Sequence, residues 1–135
     1  MKKQWQLTMM AFVLLASLVM SSFPLAQAAQ AKGTVRQIAL KGSAAFPNAK
    51  GAAKYKVDGT EREFQVEVEN IKALAGRRLY VYVNGVKAGS FLVTSLGTGR
   101  MNRNTIRGQA VPMIVTGSKV RIRTGTGALV AYGQF

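Results

Sequence analysis

The chain has 135 residues, with 19 Lys and Arg against 5 Asp and Glu and a formal net charge of +14. It contains no histidine and no cysteine, which removes the usual general base, the thiol nucleophile, disulfide bonds and most transition-metal ligands. A Ser-His-Asp triad cannot be built, no cofactor or metal site is expected, and the chain does not read as an enzyme.

Residues 1–31 have the layout of a helical export signal. Lys2 and Lys3 precede an apolar stretch from Leu7 to Met20, and Ser21-Ser22-Phe23-Pro24 then leads into small residues. Cleavage is compatible with either of two sites, Ala26-Gln27-Ala28 or Ala29-Gln30-Ala31. The apolar stretch is shorter than the ~20 residues that span a bilayer, so no transmembrane segment is expected after cleavage. The destination is periplasmic or extracellular. Residues 32–135 then form one domain, since about 100 residues do not support two separate cores.

Charge is distributed unevenly along this domain. Asp58, Glu61, Glu63, Glu67 and Glu69 are the only acids, whereas residues 70–135 hold ten Lys and Arg and no acid. Such a field favours anionic polysaccharide, lipid head groups or nucleic acid in a non-specific way, and it also serves solubility.

Short runs rich in Val, Ile, Tyr and Phe, punctuated by Gly, Asn-Gly and Asp-Gly, predict strands throughout. The first lies near 34–40. Around Asp58-Gly59 the segment 51–70 predicts a hairpin that sets Lys56 opposite Glu61, Lys54 opposite Glu63 and Lys50 opposite Glu67. Ala53, Phe64, Val66 and Val68 then take the buried face. Residues 70–75 allow one short helical turn. A second hairpin, 78–93, turns at Asn84-Gly85, with Leu79, Val81, Val83, Val86 and Ala88 on one face and Arg78, Tyr80, Tyr82 and Lys87 on the other. A bulge is expected at Gly89, because the apolar phase changes at Phe91 and Val93. Further strands are expected at 113–115, 119–124 and 128–135. The sum is an all-β fold: a small antiparallel β-sandwich, Ig-like or Greek-key, of seven or eight short strands.

Two basic segments stand out. Residues 97–108 are glycine-punctuated and carry Arg100, Arg103 and Arg107, whose forks suit phosphate, sulfate or carboxylate oxygens. The alternative is a hairpin whose arginines are simply solvated. Lys119, Arg121 and Arg123 alternate with Val120 and Ile122 and form an outward stripe on one strand. If that strand neighbours the arginine segment, the six make one cationic surface; cross-strand pairing of the stripe with Glu67 or Glu69 would neutralise part of it. Tyr80 and Tyr82 are the one exposed aromatic pair in sight, too few for a single-strand nucleic-acid platform.

The segments Ala39-Leu40-Lys41-Gly42, Pro47-Asn48-Ala49-Lys50-Gly51-Ala52-Ala53-Lys54-Tyr55 and Phe64-Gln65-Val66-Glu67-Val68-Glu69-Asn70-Ile71 resemble small secreted bacterial β-domain proteins and, over the first half, the opening of chordin-type (CHRD) repeats. The resemblance implies an extracytoplasmic binding or structural module and assigns no catalytic residue. Repeats of the chordin type carry a histidine-containing segment that has no counterpart here.

These readings converge on an exported, non-enzymatic module that binds anionic surfaces or polymers through Arg100, Arg103, Arg107, Lys119, Arg121 and Arg123. The alternative is a structural or protein-partner module of the cell envelope, with no small-molecule ligand.

Overall fold

The computed structural model describes residues 33–135; the expected export signal and its two candidate cleavage sites lie outside that range. Eight strands follow in chain order: β1 (Thr34–Gly42), β2 (Lys50–Asp58), β3 (Glu61–Glu69), β4 (Arg78–Val83), β5 (Val86–Leu92), β6 (Gly99–Asn104), β7 (Lys119–Thr124) and β8 (Leu129–Gln134). Single 3₁₀ turns occupy Lys72–Leu74 and Thr105–Arg107. Among the described residues, no helix is long and apolar enough to cross a membrane.

All pairings are antiparallel, in one sheet of order β5-β4-β7-β8-β1-β2-β3-β6. The sheet curls until its two edges meet. A Cβ added to Gly89 on β5 would come within 2.5 Å of Met101 Sδ on β6, and one on Gly99 of β6 would overlap the Phe91 ring of β5. Glycine on each edge thus lets the opposite side chain cross the junction. With β5 and β6 side by side, the order β7-β4-β5-β6 is a Greek key, and the whole is a nearly closed barrel-like sandwich.

The alternation of each strand places the core. Phe64, Val66, Leu79, Val81, Val120, Ile122 and Val130 are all 0% exposed, and Ile71 from the turn before β4 caps them at 1%. Each such side chain contributes roughly 1.5–3 kcal/mol on burial. With no disulfide, this packing holds the domain together.

Four expectations change in detail. In the first hairpin Asp58 pairs with Glu61, and the loop is Gly59-Thr60, with Gly59 at φ 59°. A two-residue loop with glycine first replaces the Asp-Gly turn. The register moves by two, so Lys56 faces Glu63, Lys50 faces Glu69, Lys54 faces Gln65 and Ala52 faces Glu67. A shift of two keeps every side chain on its face, and Ala53, Phe64, Val66 and Val68 are buried as expected. This register keeps two of the lysines opposite glutamates, sets Tyr55 opposite Phe64, and places Gly51 where a Cβ would strike the Glu67 carbonyl.

In the second hairpin Asn84 and Gly85 both take positive φ, at 49° and 82°, as the Asn-Gly turn requires. The register slips between Val81 and Tyr82, because Gly89 pairs with Val81 and Lys87 with Tyr82. Ala88 is therefore the extra residue, one place before the expected bulge. Val86, at the hairpin tip, is 70% exposed rather than buried. Residues 113–115 form no strand. The Val115 N–H donates to Ser118 Oγ and the Ser118 N–H to the Val115 carbonyl, so a local turn takes those groups, and Pro112 before it has no N–H to give a ladder. The eighth strand is instead β6, followed by a 3₁₀ turn that Asn104 caps by accepting from the Ile106 N–H at 2.8 Å.

Candidate functional site

Residues directly opposite across antiparallel strands share a face, so the registers can be read across the sheet as rows. One row runs Lys87 (β5), Tyr82 (β4), Arg121 (β7), Tyr132 (β8), Lys41 (β1), Lys50 (β2), Glu69 (β3). Its first five members alternate cation and phenol across five strands without an acid. At about 4.8 Å between strands, these five span roughly 20 Å. Lys41, Lys87, Arg121 and Tyr132 are exposed and Tyr82 is half-buried.

The flanking rows extend the same chemistry. Tyr80 stands opposite Arg123, and Lys87 Nζ lies 4.6 Å from the Tyr80 ring centroid, a cation–π contact. On the other side Lys119 stands opposite Gln134.

The row passes from β8 to β1 at the edge of a break in the sheet. β8 pairs with β1 only at Tyr132–Lys41 and Ala131–Gly42, although β1 continues back to Thr34. Where the strands part, the outer surface sinks into a depression of about 390 Å³, lined by Ala39, Lys41, Lys119, Arg121, Tyr132, Gly133 and Gln134. Three cations and no carboxylate line it. On the inner side of the same break, a Cβ on Gly133 would come within 2.8 Å of Leu40 Cδ2, so glycine lets Leu40 fill the space beneath.

The half of the outer face formed by β2, β3 and β6 is different. Lys50 Nζ lies 3.5 Å from Glu69 Oε1 and Arg100 Nη2 3.0 Å from Glu67 Oε1. The Asn102 amide donates to Glu63 at 3.1 Å, and the Asn104 amide donates to Glu61 at 3.0 Å and to Glu63 at 3.3 Å. A larger depression here, about 590 Å³, is lined by both ion pairs. Its charges answer one another.

The six residues singled out from the sequence do not form one surface. Going round the barrel, β5 and β4 separate β6 from β7, and on the other side β8, β1, β2 and β3 do so. Arg100 is engaged by Glu67. Arg103 faces inward, opposite buried Phe64, and its Nε donates to the Ala110 carbonyl at 2.8 Å. Arg107 is exposed on the turn after β6. Lys119, Arg121 and Arg123 do stand together on β7, with Arg123 Nη1 donating to the Gly127 carbonyl at 2.9 Å. Glu67 and Glu69, considered as partners for that stripe, are taken by Arg100 and Lys50.

Sequence reasoning missed Lys41, Lys87 and Tyr132 as members of the site. Their strand phase is visible, since Lys41 alternates with buried Leu40 and Tyr132 with buried Ala131. What joins them to Arg121 is the pairing of the first strand with the last, which no local pattern announces. Compared with protein-family models, with curated proteins and with solved structures, the chain has no match.

Proposed function

We propose that the protein is an exported, non-enzymatic module that binds anionic polymers or surfaces through the acid-free half of its outer face. The observation that carries this reading is the row Lys87–Tyr82–Arg121–Tyr132–Lys41, in which cations and phenols alternate in register with no carboxylate. Cations neutralise charges along the polymer and release its counterions, so affinity falls steeply with salt. The phenols present flat amphipathic faces against sugar rings or bases. The non-enzymatic part is supported by composition, with neither histidine nor cysteine, and by the engagement of Glu61, Glu63, Glu67 and Glu69 with amides or cations.

Binding of heparin, duplex DNA and anionic vesicles across a salt series tests this reading. Replacing Lys41, Lys119 and Arg121 together by Ala is expected to reduce the slope of log affinity against log salt on DNA by about 3. Replacing Arg100, Arg103 and Arg107 together by Ala is expected to leave most of the slope. Equal loss in the two variants, or affinity that is flat with salt, overturns the assignment. Salt-insensitive retention of a single envelope protein would favour the protein-partner alternative.

A further inference from the structure

The broad face suits polyanions in general, whereas the depression at the β1–β8 break concentrates three cations in one concave lining. We infer that this depression is a site for a phosphomonoester group, held by Lys41, Lys119 and Arg121. The inference rests on the polyanion reading of the same face and narrows it to one chemical class.

Three features carry it. First, the lining combines three cations with no acid. The next acid along the Lys41 row, Glu69, is engaged by Lys50. Such a site rewards ligand charge: a phosphomonoester carries close to two negative charges at neutral pH, whereas a phosphodiester, a sulfate ester or a carboxylate carries one. Doubling the charge doubles the Coulomb attraction to every cation present. Second, the remaining polar groups of the lining, the Tyr132 hydroxyl and the Gln134 amide, are neutral donors that can satisfy phosphate oxygens beyond those met by the Arg121 fork. Third, a volume of about 390 Å³ admits the phosphate together with the glycerol or sugar that it esterifies, and lies at the small end of ligand pockets.

The source of the monoester can be a lipid head group or a soluble phosphorylated molecule, and the probes separate the two. Methyl phosphate, methyl sulfate and dimethyl phosphate are titrated into the purified full chain by calorimetry at pH 7.5 and low salt. Methyl phosphate is expected to bind at least about tenfold tighter than the other two. Lowering the pH to 5 protonates the monoester, whose second pKa is about 6, and should erase the preference. The titratable and charged groups lining the site are Lys41 from β1, Lys119 and Arg121 from β7 and Tyr132 from β8, and the chain has no histidine to titrate in that interval. Lys41→Ala and Arg121→Ala, both at exposed positions, are expected to abolish the preference, and Arg100→Ala to preserve it.

Phosphatidylcholine vesicles doped with phosphatidic acid or with phosphatidylglycerol form the second arm. Selective binding to phosphatidic acid that exceeds the affinity for methyl phosphate assigns a lipid source; no gain over methyl phosphate assigns a soluble one. Equal binding of the three methyl esters overturns the inference. If heparin and DNA binding survive that result, the polyanion reading stands without it; if they fail as well, both fall.

Discussion

The two halves of the outer face are built from the same antiparallel ladder and the same kinds of cation, yet one is balanced by acids and the other is not. On β2, β3 and β6 most outward cations face acids: Lys50 meets Glu69, Arg100 meets Glu67 and Lys56 stands opposite Glu63, while Lys54 stands opposite Gln65. On β5, β4, β7, β8 and the end of β1, the cations face tyrosines and one another. The difference teaches that net charge is a poor guide to where a basic protein is available for binding. What counts is which cations the strand order leaves without a carboxylate across the ladder.

The largest expected effect comes from breaking the acid-free half. Arg121→Glu places a carboxylate between Tyr82 and Tyr132, at the middle of the row, and is expected to weaken heparin or DNA binding at low salt by about 10- to 100-fold. Arg100→Glu changes the net charge by the same amount but sits in the paired half, and is expected to change affinity by no more than about threefold. The two reversals together separate location from total charge. Equal losses in a binding titration would mean that only net charge matters and that the division into halves has no functional content.

A smaller effect is expected from making the halves alike. Glu67→Gln with Glu69→Gln frees Arg100 and Lys50, and the cationic row then runs on across β1 and β2. Affinity for duplex DNA at low salt is expected to rise by about 3- to 10-fold, with a steeper salt dependence. Unchanged affinity would show that the acids are not what silences that half.

How far this arrangement was legible in the sequence depends on the range of the information. Faces set by strand alternation were legible: Ala53, Phe64, Val66 and Val68 are buried, and the β7 stripe stands where alternation puts it. The Asn84-Gly85 turn was legible because both residues must take positive φ. The register of the first hairpin was missed by two because Gly59 can open a loop as well as close one. β6 was missed as a regular strand because Gly99-Arg100-Met101-Asn102-Arg103-Asn104 buries only Gly99 and Met101 and leaves the rest partly exposed or exposed, so its apolar alternation is faint. The candidate site was only half legible. Lys119, Arg121 and Arg123 were found from one strand, whereas Lys41 and Tyr132 join Arg121 through the closure of β1 on β8, a pairing between distant segments.

The smallest expected effect concerns stability, and it bears on why the paired half exists. The Arg100 and Glu67 side chains remain 64% and 56% exposed at their 3.0 Å contact, so solvent screens most of their attraction. A double-mutant cycle with Arg100→Ala and Glu67→Ala, read by urea denaturation, is expected to give a coupling below about 1 kcal/mol. The Lys50–Glu69 pair, at 3.5 Å and similarly exposed, is expected to give no more. Coupling that small would mean that the domain does not need these acids to fold, since the core on the inner face supplies its stability. Their effect would then lie in keeping one half of a strongly basic surface quiet while the other half stays open. A coupling above about 2 kcal/mol would reverse that ordering and make the acids part of the folding design, with the electrostatic division of the face as its by-product.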